Sequence, residues 1–355
     1  MKLFECQACG QLLHFENTRC ERCSHRLGYL PRASDLSALE PEEQETWRAL
    51  AAPRQQRFRF CANAAYDACN WLTEADSGTG FCLACRHNGI IPDLGKPGNK
   101  IAWQKIEVAK HRLFYALVRL GLPLETRAEA PEGLTFEFLA DPPAEGGPKV
   151  MTGHDNGLIT IALSEADDAE RERRRTSMGE PYRTLLGHFR HEVGHYYWDR
   201  LVRDRGHLDA CRALFGDDRE DYGEALNKHY ARGGPPPDWQ ERYVSTYATM
   251  HPWEDFAETW AHYLHIVDTL EMAGAFGVRV QPKLDESGAL GAEVGFDPYA
   301  AGPIDRLVAA WLPLTFALNG LNRCMGLSDL YPFILSPPVV EKLGFIHRLV
   351  HDELS

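Results

Sequence analysis

The stretch His188–Leu201, HFRHEVGHYYWDRL, decides how the rest of the chain is read. It contains His191-Glu192-Val193-Gly194-His195. On a helix at 100° per residue with His191 at zero, His195 falls at about 40°, His188 at about 60°, Asp199 at about 80° and Glu192 at about 100°. Leu186, Phe189, Val193 and Tyr197 fall between about 160° and 240°. One face is therefore apolar, and the opposite face carries every metal-capable group. Imidazoles at i and i+4 reach one ion from a single helix face. Glu192 sits one step round, where it touches a metal-bound water without ligating.

A catalytic zinc takes three protein ligands and keeps one position open. A third histidine six residues past the second is excluded, because Leu201 occupies that position. Downstream, STYATMHPWEDFAETWAHYLHI (Ser245–Ile266) reads as a second helix. Glu254 and Glu258 lie one turn apart, and Phe256, Trp260, Leu264 and Val267 form the opposite, buried stripe. Taken alone, this segment is a surface helix with two solvated glutamates. Paired with the first helix it supplies Glu254 as candidate third ligand of a His2Glu site. Glu258 would then accept a hydrogen bond from the free ring nitrogen of His191 and fix its tautomer. Glu258 and Asp255 stand as alternative ligands. His251 is a weaker one, since Pro252 sets it just outside the helix.

The cysteines point to zinc as well. Eight of the ten precede residue 90. Thiols stay reduced in the cytoplasm, so metal ligation is favoured over disulfides. Cys6-x2-Cys9 and Cys20-x2-Cys23 are two knuckles ten residues apart, and together they complete a tetrahedron. The ion supplies stability that so short a segment lacks in its core. Cys61, Cys69, Cys82 and Cys85 form a second four-cysteine site, with its first pair more widely spaced. A ligand borrowed from His87, or buried structural thiols, are the alternatives. Cys211 and Cys324 read as buried or partly buried thiols.

The chain has 355 residues, ordinary soluble proportions of 44% hydrophobic and 25% charged residues, and a net charge of -13. That charge argues against coating nucleic acid or an anionic membrane. There is no apolar run long enough to span a bilayer and no secretory signal at the N-terminus, so a cytoplasmic location with no membrane partner is expected. Residues 1–30 read as a zinc ribbon, 31–97 as a polar connector (31–56) and the second cysteine module, and 98–355 as the main domain, after the Pro/Gly punctuation IIPDLGKPGN. Lys100–Leu120 has a helical pattern; LTFEFLA and GLITIAL read as strands, the latter bounded by the turn-like GHDNG. A charged helix from Glu165 is a solvated face broken by Gly179 and Pro181, and GGPPPDW is a low-complexity loop.

At His191–His195 and Glu254–Glu258 the chain resembles zincin metallopeptidases of the gluzincin type. EDFAE is similar to the matching segment of anthrax lethal factor-type proteases, in which a tyrosine seven residues before the ligand glutamate stabilises the transition state; Tyr247 stands at that offset, with Tyr243 as runner-up. The whole arrangement, from the cysteine knuckles through LLGHFRHEVGHYYWDRL to the Tyr247–Glu258 block, resembles a bacterial family of zinc-binding metallopeptidases with an N-terminal zinc-ribbon region. The resemblance implies an α+β fold: zinc-ribbon modules preceding a zincin-like, mostly helical domain whose small twisted sheet packs on the two site helices, with GLITIAL as edge strand. It implies one catalytic and two structural zinc ions. It also implies peptide-bond hydrolysis with Glu192 as general base and Tyr247 as an oxyanion donor. The ribbons would recruit a partner or substrate protein. The competing reading is a zinc-ribbon protein- or nucleic-acid-binding factor with an inert peptidase-like domain. The interleaving of Arg48, Arg54, Arg57 and Arg59 with Trp47, Phe58 and Phe60 motivates it.

Overall fold

Most strands precede most helices along the chain in the computed structural model, which describes residues 1–78, 80–142, 149–177, 180–231 and 234–354. Contacts divide the chain into two compact units, Met1–Arg171 and Glu172–Ser355. Gly179, expected to break the charged helix, and Gly233 of GGPPPDW lie outside the described residues.

The first unit opens with β1 (Phe4–Glu5) and β2 (Leu12–Leu13), a short antiparallel pair carrying the first knuckle. Then β3 (Arg26–Leu30), β4 (Asp35–Pro41), β5 (Trp47–Ala49), β6 (Phe58–Phe60) and β7 (Leu72–Glu74) form an antiparallel meander in chain order. Leu30, Leu39, Ala49, Phe58 and Leu72 make its core. Residues 31–56 are thus no irregular connector. The acidic run Glu42–Glu45 only turns the chain between β4 and β5, while Leu36, Ser37, Ala38 and Leu39 are buried on both faces of β4. Such burial on both faces removes the polar/apolar alternation that marks a strand in sequence.

A second sheet has the order β10 (Gly153–Asp155), β11 (Leu158–Ala162), β9 (Thr135–Leu139), β8 (Asn88–Ile90). GLITIAL supplies β11, which is an interior strand: antiparallel to β10 and parallel to β9. The edge position expected for it belongs to β10, because Asn156 and Gly157, both at positive φ, fold GHDNG back as a tight hairpin. A Cβ at Gly157 would stand 2.3 Å from the Glu132 carbonyl oxygen, so only glycine fits. Helix α1 (Asn99–Arg119) buries Phe114 against Phe136 of β9, and Tyr115 against Phe15, with ring centroids 6.0 and 5.5 Å apart. This sheet therefore belongs to the unit of the cysteine-rich region, whereas both motif helices belong to the second unit.

Helix α2 (Asp168–Ser177) spans the junction. The second unit holds α3 (Leu185–Tyr197), which continues as a π-helical stretch, Trp198–Arg203. It also holds α4 (Leu208–Phe215), α5 (Tyr222–Ala231), α6 (Pro252–Ala275), α7 (Ile304–Cys324) and α8 (Pro337–Val350). Thr184 Oγ1 starts α3 by accepting from Gly187 N at 3.0 Å. His251 Nδ1 starts α6 by accepting from Trp253 N at 3.1 Å, with Pro252 in the first turn. Tyr197 stacks on Trp260 at 4.9 Å between centroids, and Phe189, Val193 and Phe256 are fully buried. Gly194 is the contact point of the two helices. A Cβ there would lie 3.0 Å from Ala257 Cα and 3.2 Å from Trp260 Cβ. The motif's one glycine thus sets how closely α3 and α6 approach. The chain is α+β, and among the described residues no helix is long and apolar enough to cross a membrane.

Candidate metal centre

Helix α3 turns His191 Nε2 and His195 Nε2 to within 3.2 Å of each other. Glu254 Oε2, from the first turn of α6, lies 2.9 Å from the former and 3.4 Å from the latter. Donors held 2.0–2.1 Å from a tetrahedral ion stand roughly 3.3 Å apart, so this triangle has the spacing of a zinc ligand set. The chemistry agrees. His191 Nδ1 gives its hydrogen to Glu258 Oε1 at 2.8 Å, so Nε2 is the nitrogen that would offer a lone pair to a metal once its own proton has left. Among the described residues, buried Glu254 Oε2 meets no polar partner besides these two imidazole nitrogens, an arrangement that a cation shared by the three groups would complete. Glu254 Oε1 is engaged by the Tyr222 hydroxyl at 2.8 Å, so the carboxylate presents one oxygen to the imidazoles. Ser245 Oγ donates to Glu258 Oε2 at 2.5 Å and fixes the outer carboxylate in turn.

Burial would push the His191 imidazole down, but hydrogen bonds to Glu254 and Glu258 outweigh it and hold the metal-free ring well above its usual range. Burial likewise would raise Glu254, yet the two imidazoles hold its carboxyl well below the usual carboxylate range. The ring of His195 lies on Trp253, centroids 3.7 Å apart and planes at 33°. Tyr247 places its ring 5.5 Å from that of His191 and its hydroxyl in a hydrogen bond with Tyr222. Desolvation first, then the charge of Glu254, push both phenols up, and Glu192 adds to the same effect. Both hydroxyls therefore stay protonated at neutral pH. Glu192 itself is nearly buried, on the turn between the two histidines.

The alternatives are occupied elsewhere. Asp255 accepts from Lys342 Nζ at 2.5 Å. His251 caps α6 and bonds the Glu220 carbonyl at 3.0 Å through Nε2. Tyr243 lies under the Lys342 ammonium, 4.5 Å from ring centroid to Nζ. Glu258 is held by His191 and Ser245. Sequence reasoning missed Tyr222, Ser245 and Trp253. Trp253 had the one signal available, its adjacency to Glu254; Tyr222 sits on a separate helix with no pattern to mark it.

All ten cysteines are free thiols. Cys6, Cys9, Cys20 and Cys23 converge, with Cys6–Cys23 and Cys9–Cys20 sulfurs each 3.6 Å apart. Thiolates 2.3 Å from one zinc stand roughly 3.8 Å apart, which matches. Backbone hydrogen bonding, that of Cys23 above all, lowers the Cys20 thiol to about 7. Cys61, Cys69, Cys82 and Cys85 form a second cluster, with Cys69 and Cys82 sulfurs 3.7 Å apart. His87 takes no part in it: its Nδ1 bonds the Leu134 carbonyl at 2.8 Å and its ring packs on Phe114. Cys211 is buried as expected, but Cys324 is exposed at the end of α7. Two of the four clustered arginines are in ion pairs: Arg48 with Glu40, and Arg57 with Glu42 at 3.2 Å.

Comparison with known proteins gives a consistent picture. A family model described as "Putative zinc-binding metallo-peptidase" matches residues 99–349, and one described as "zinc-ribbon domain" matches residues 3–96. Uncharacterized proteins of Mycobacterium tuberculosis (strain H37Rv) and Mycobacterium bovis are each 42% identical over 359 residues, covering 100% of this chain and 96% of the relative. No solved structure matches significantly.

Proposed function

The chain belongs to this family of zinc-binding metallopeptidases, and from that premise we propose that it hydrolyses peptide bonds at the His191–His195–Glu254 centre. The observation carrying the proposal is the convergence of one buried carboxylate oxygen with two imidazole nitrogens of the helix turn that also carries Glu192. His191, His195 and Glu254 would hold a zinc ion, which would supply Lewis acidity towards a substrate carbonyl and a water. Glu192 takes the proton of the attacking water and returns it to the leaving amine. Tyr247, kept protonated, would turn its hydroxyl hydrogen from the Tyr222 oxygen to the oxygen that becomes negative. Glu258 and Ser245 hold the His191 ring in one tautomer and orientation. Zinc at the two cysteine clusters is structural, and the ribbon region recruits a protein partner or substrate. The ion pairs on Arg48 and Arg57 weigh against the nucleic-acid alternative.

The test uses the zinc-loaded full chain and a proteome-derived peptide library. Wild type is expected to cleave a subset of peptides. Glu192→Gln should keep its zinc and lose about 10²–10⁴ in rate. Cleavage by the variant at the parent rate would remove the general-base assignment, and a fully loaded wild type that cleaves nothing would favour the inert-domain reading.

A further inference from the structure

The second cysteine cluster has a fifth donor that its spacing in sequence does not show. His111, on α1, is buried against it. His111 Nε2 lies 3.2 Å from Cys69 Sγ, 3.6 Å from Cys85 Sγ and 3.9 Å from Cys82 Sγ. Its Nδ1 is 2.6 Å from the Glu107 carbonyl oxygen. A carbonyl only accepts, so Nδ1 carries the hydrogen and Nε2 presents a lone pair to the sulfurs. A nitrogen and a sulfur bound to one tetrahedral zinc, at 2.0–2.1 and 2.3 Å, stand roughly 3.5 Å apart. The three distances straddle that value. Cys61 makes its own contacts to the same three thiols, Cys69, Cys82 and Cys85. Three sulfurs thus form a shared triangle, faced by two candidates for the fourth position.

The neighbouring groups fit a thiolate-rich ion. Lys110, fully buried, pairs with Glu107 at 2.9 Å, so that carboxylate adds no net negative charge beside the sulfurs. Glu107 is also bonded by Asn88 Nδ2 at 2.7 Å, which engages both its oxygens and withdraws it as a ligand. Trp71 packs on the His111 ring, centroids 5.1 Å apart, and fixes its plane. Cys69 and His111 both line a cavity of about 350 Å³, which gives a chelator access to the site.

We propose that the second zinc site has two competent ligand sets built on Cys69, Cys82 and Cys85, one closed by Cys61 and the other by His111. The proposal takes the zinc assignment of this cluster as given and is independent of peptidase activity. It has a structural consequence: His111 lies in the stretch matching the metallopeptidase family, whereas the cysteines lie in the stretch matching the zinc ribbon. One ion then ties α1 to the cysteine module.

Zinc per chain is measured on the purified full-length protein after dialysis, and zinc transfer to a chromogenic chelator is followed in time. Cys82→Ser, which removes a shared ligand, is expected to lose one ion. Cys61→Ser should retain it, and its cobalt-substituted form should show a spectrum with one nitrogen in place of one sulfur. The double variant Cys61→Ser/His111→Gln should lose it. His111→Gln alone should keep the ion but release it about tenfold faster. His111→Cys, which restores a donor without the imidazole's packing or its bond to Glu107, should release it near the wild-type rate. Loss of zinc from Cys61→Ser as complete as from Cys82→Ser would overturn the proposal. So would His111→Cys releasing its ion as fast as His111→Gln, a result that needs no Cys61 variant to fold.

Discussion

The first cysteine ribbon and the His191–His195–Glu254 centre are built in opposite ways. In the ribbon, four donors come from two tight turns, and besides its cysteines the stretch that carries them, residues 4–23, buries only Phe4, Leu13 and Phe15, with Phe15 against Tyr29, Trp71 and Tyr115 of later elements. In the centre, two donors share a helix and the third arrives on another, across an interface of Phe189, Val193, Tyr197, Phe256 and Trp260. On the proposed assignment, an ion in the ribbon would organise a backbone with few apolar side chains of its own, whereas the centre's donors sit on helices held together by packing. An ion that stabilises a fold needs a closed shell; an ion that does chemistry sits best where the shell is held open by something else.

The largest effect tests that contrast directly. Cys20→Ser should lose one zinc and unfold the ribbon, because structural zinc contributes on the order of 10 kcal/mol to such segments. Limited proteolysis would then cut within residues 1–30. His195→Ala should also lose one zinc, and all hydrolysis with it, yet shift Tm by only about 1–3 °C. If His195→Ala melted the second unit as Cys20→Ser melts the ribbon, the centre would be structural after all.

Packing makes the next prediction. Gly194→Val leaves every donor in place but drives a side chain into Ala257 and Trp260. It should cost about 1–3 kcal/mol of stability and weaken zinc binding at the centre, leaving the sulfur-bound ions untouched. Calorimetry with metal analysis separates the two. Glu258→Gln is milder: the fold stays, and affinity for the centre's zinc falls roughly 10–100-fold, read by competition with a chelator.

Proton release gives the finest comparison. In the metal-free centre His191 is held above its usual value, while burial lowers His195 and its partners lower Glu254. One proton, that of His191, must leave when zinc binds near neutral pH. Affinity should therefore rise with pH through the usual imidazole value near 6.5 and go on rising above it, with a one-proton slope. In the ribbon, desolvation raises Cys6, and raises Cys9 to about 12, so two or more protons leave and acid releases that ion more steeply. Isothermal titration in buffers of different ionisation enthalpy counts the protons in each case.

Much of this was legible in the residues. The i, i+4 histidines, the apolar stripe behind them and the twin-glutamate face of α6 are local periodicities, and the structure brings His191, His195, Glu254 and Glu258 together. Membership of the metallopeptidase family was likewise readable from the same motifs. The meander through residues 31–56 was hidden because its strands are short and β4 is buried on both faces. The interior position of GLITIAL was hidden because strand order depends on which distant segments pair, not on the strand's own composition.

The sequence by itself determined which side chains are the candidates for chemistry: the knuckle cysteines, the paired histidines, Glu192, and a helix with carboxylates on one face. Those follow from helix and turn geometry over a few residues, where spacing fixes direction. Only the tertiary structure decided that Tyr222 holds Glu254, that Gly194 sets the approach of α3 to α6, and that His111 joins the second sulfur cluster. Each of these is a meeting of residues far apart along the chain, set by the packing of whole elements, and no local period in the sequence encodes it.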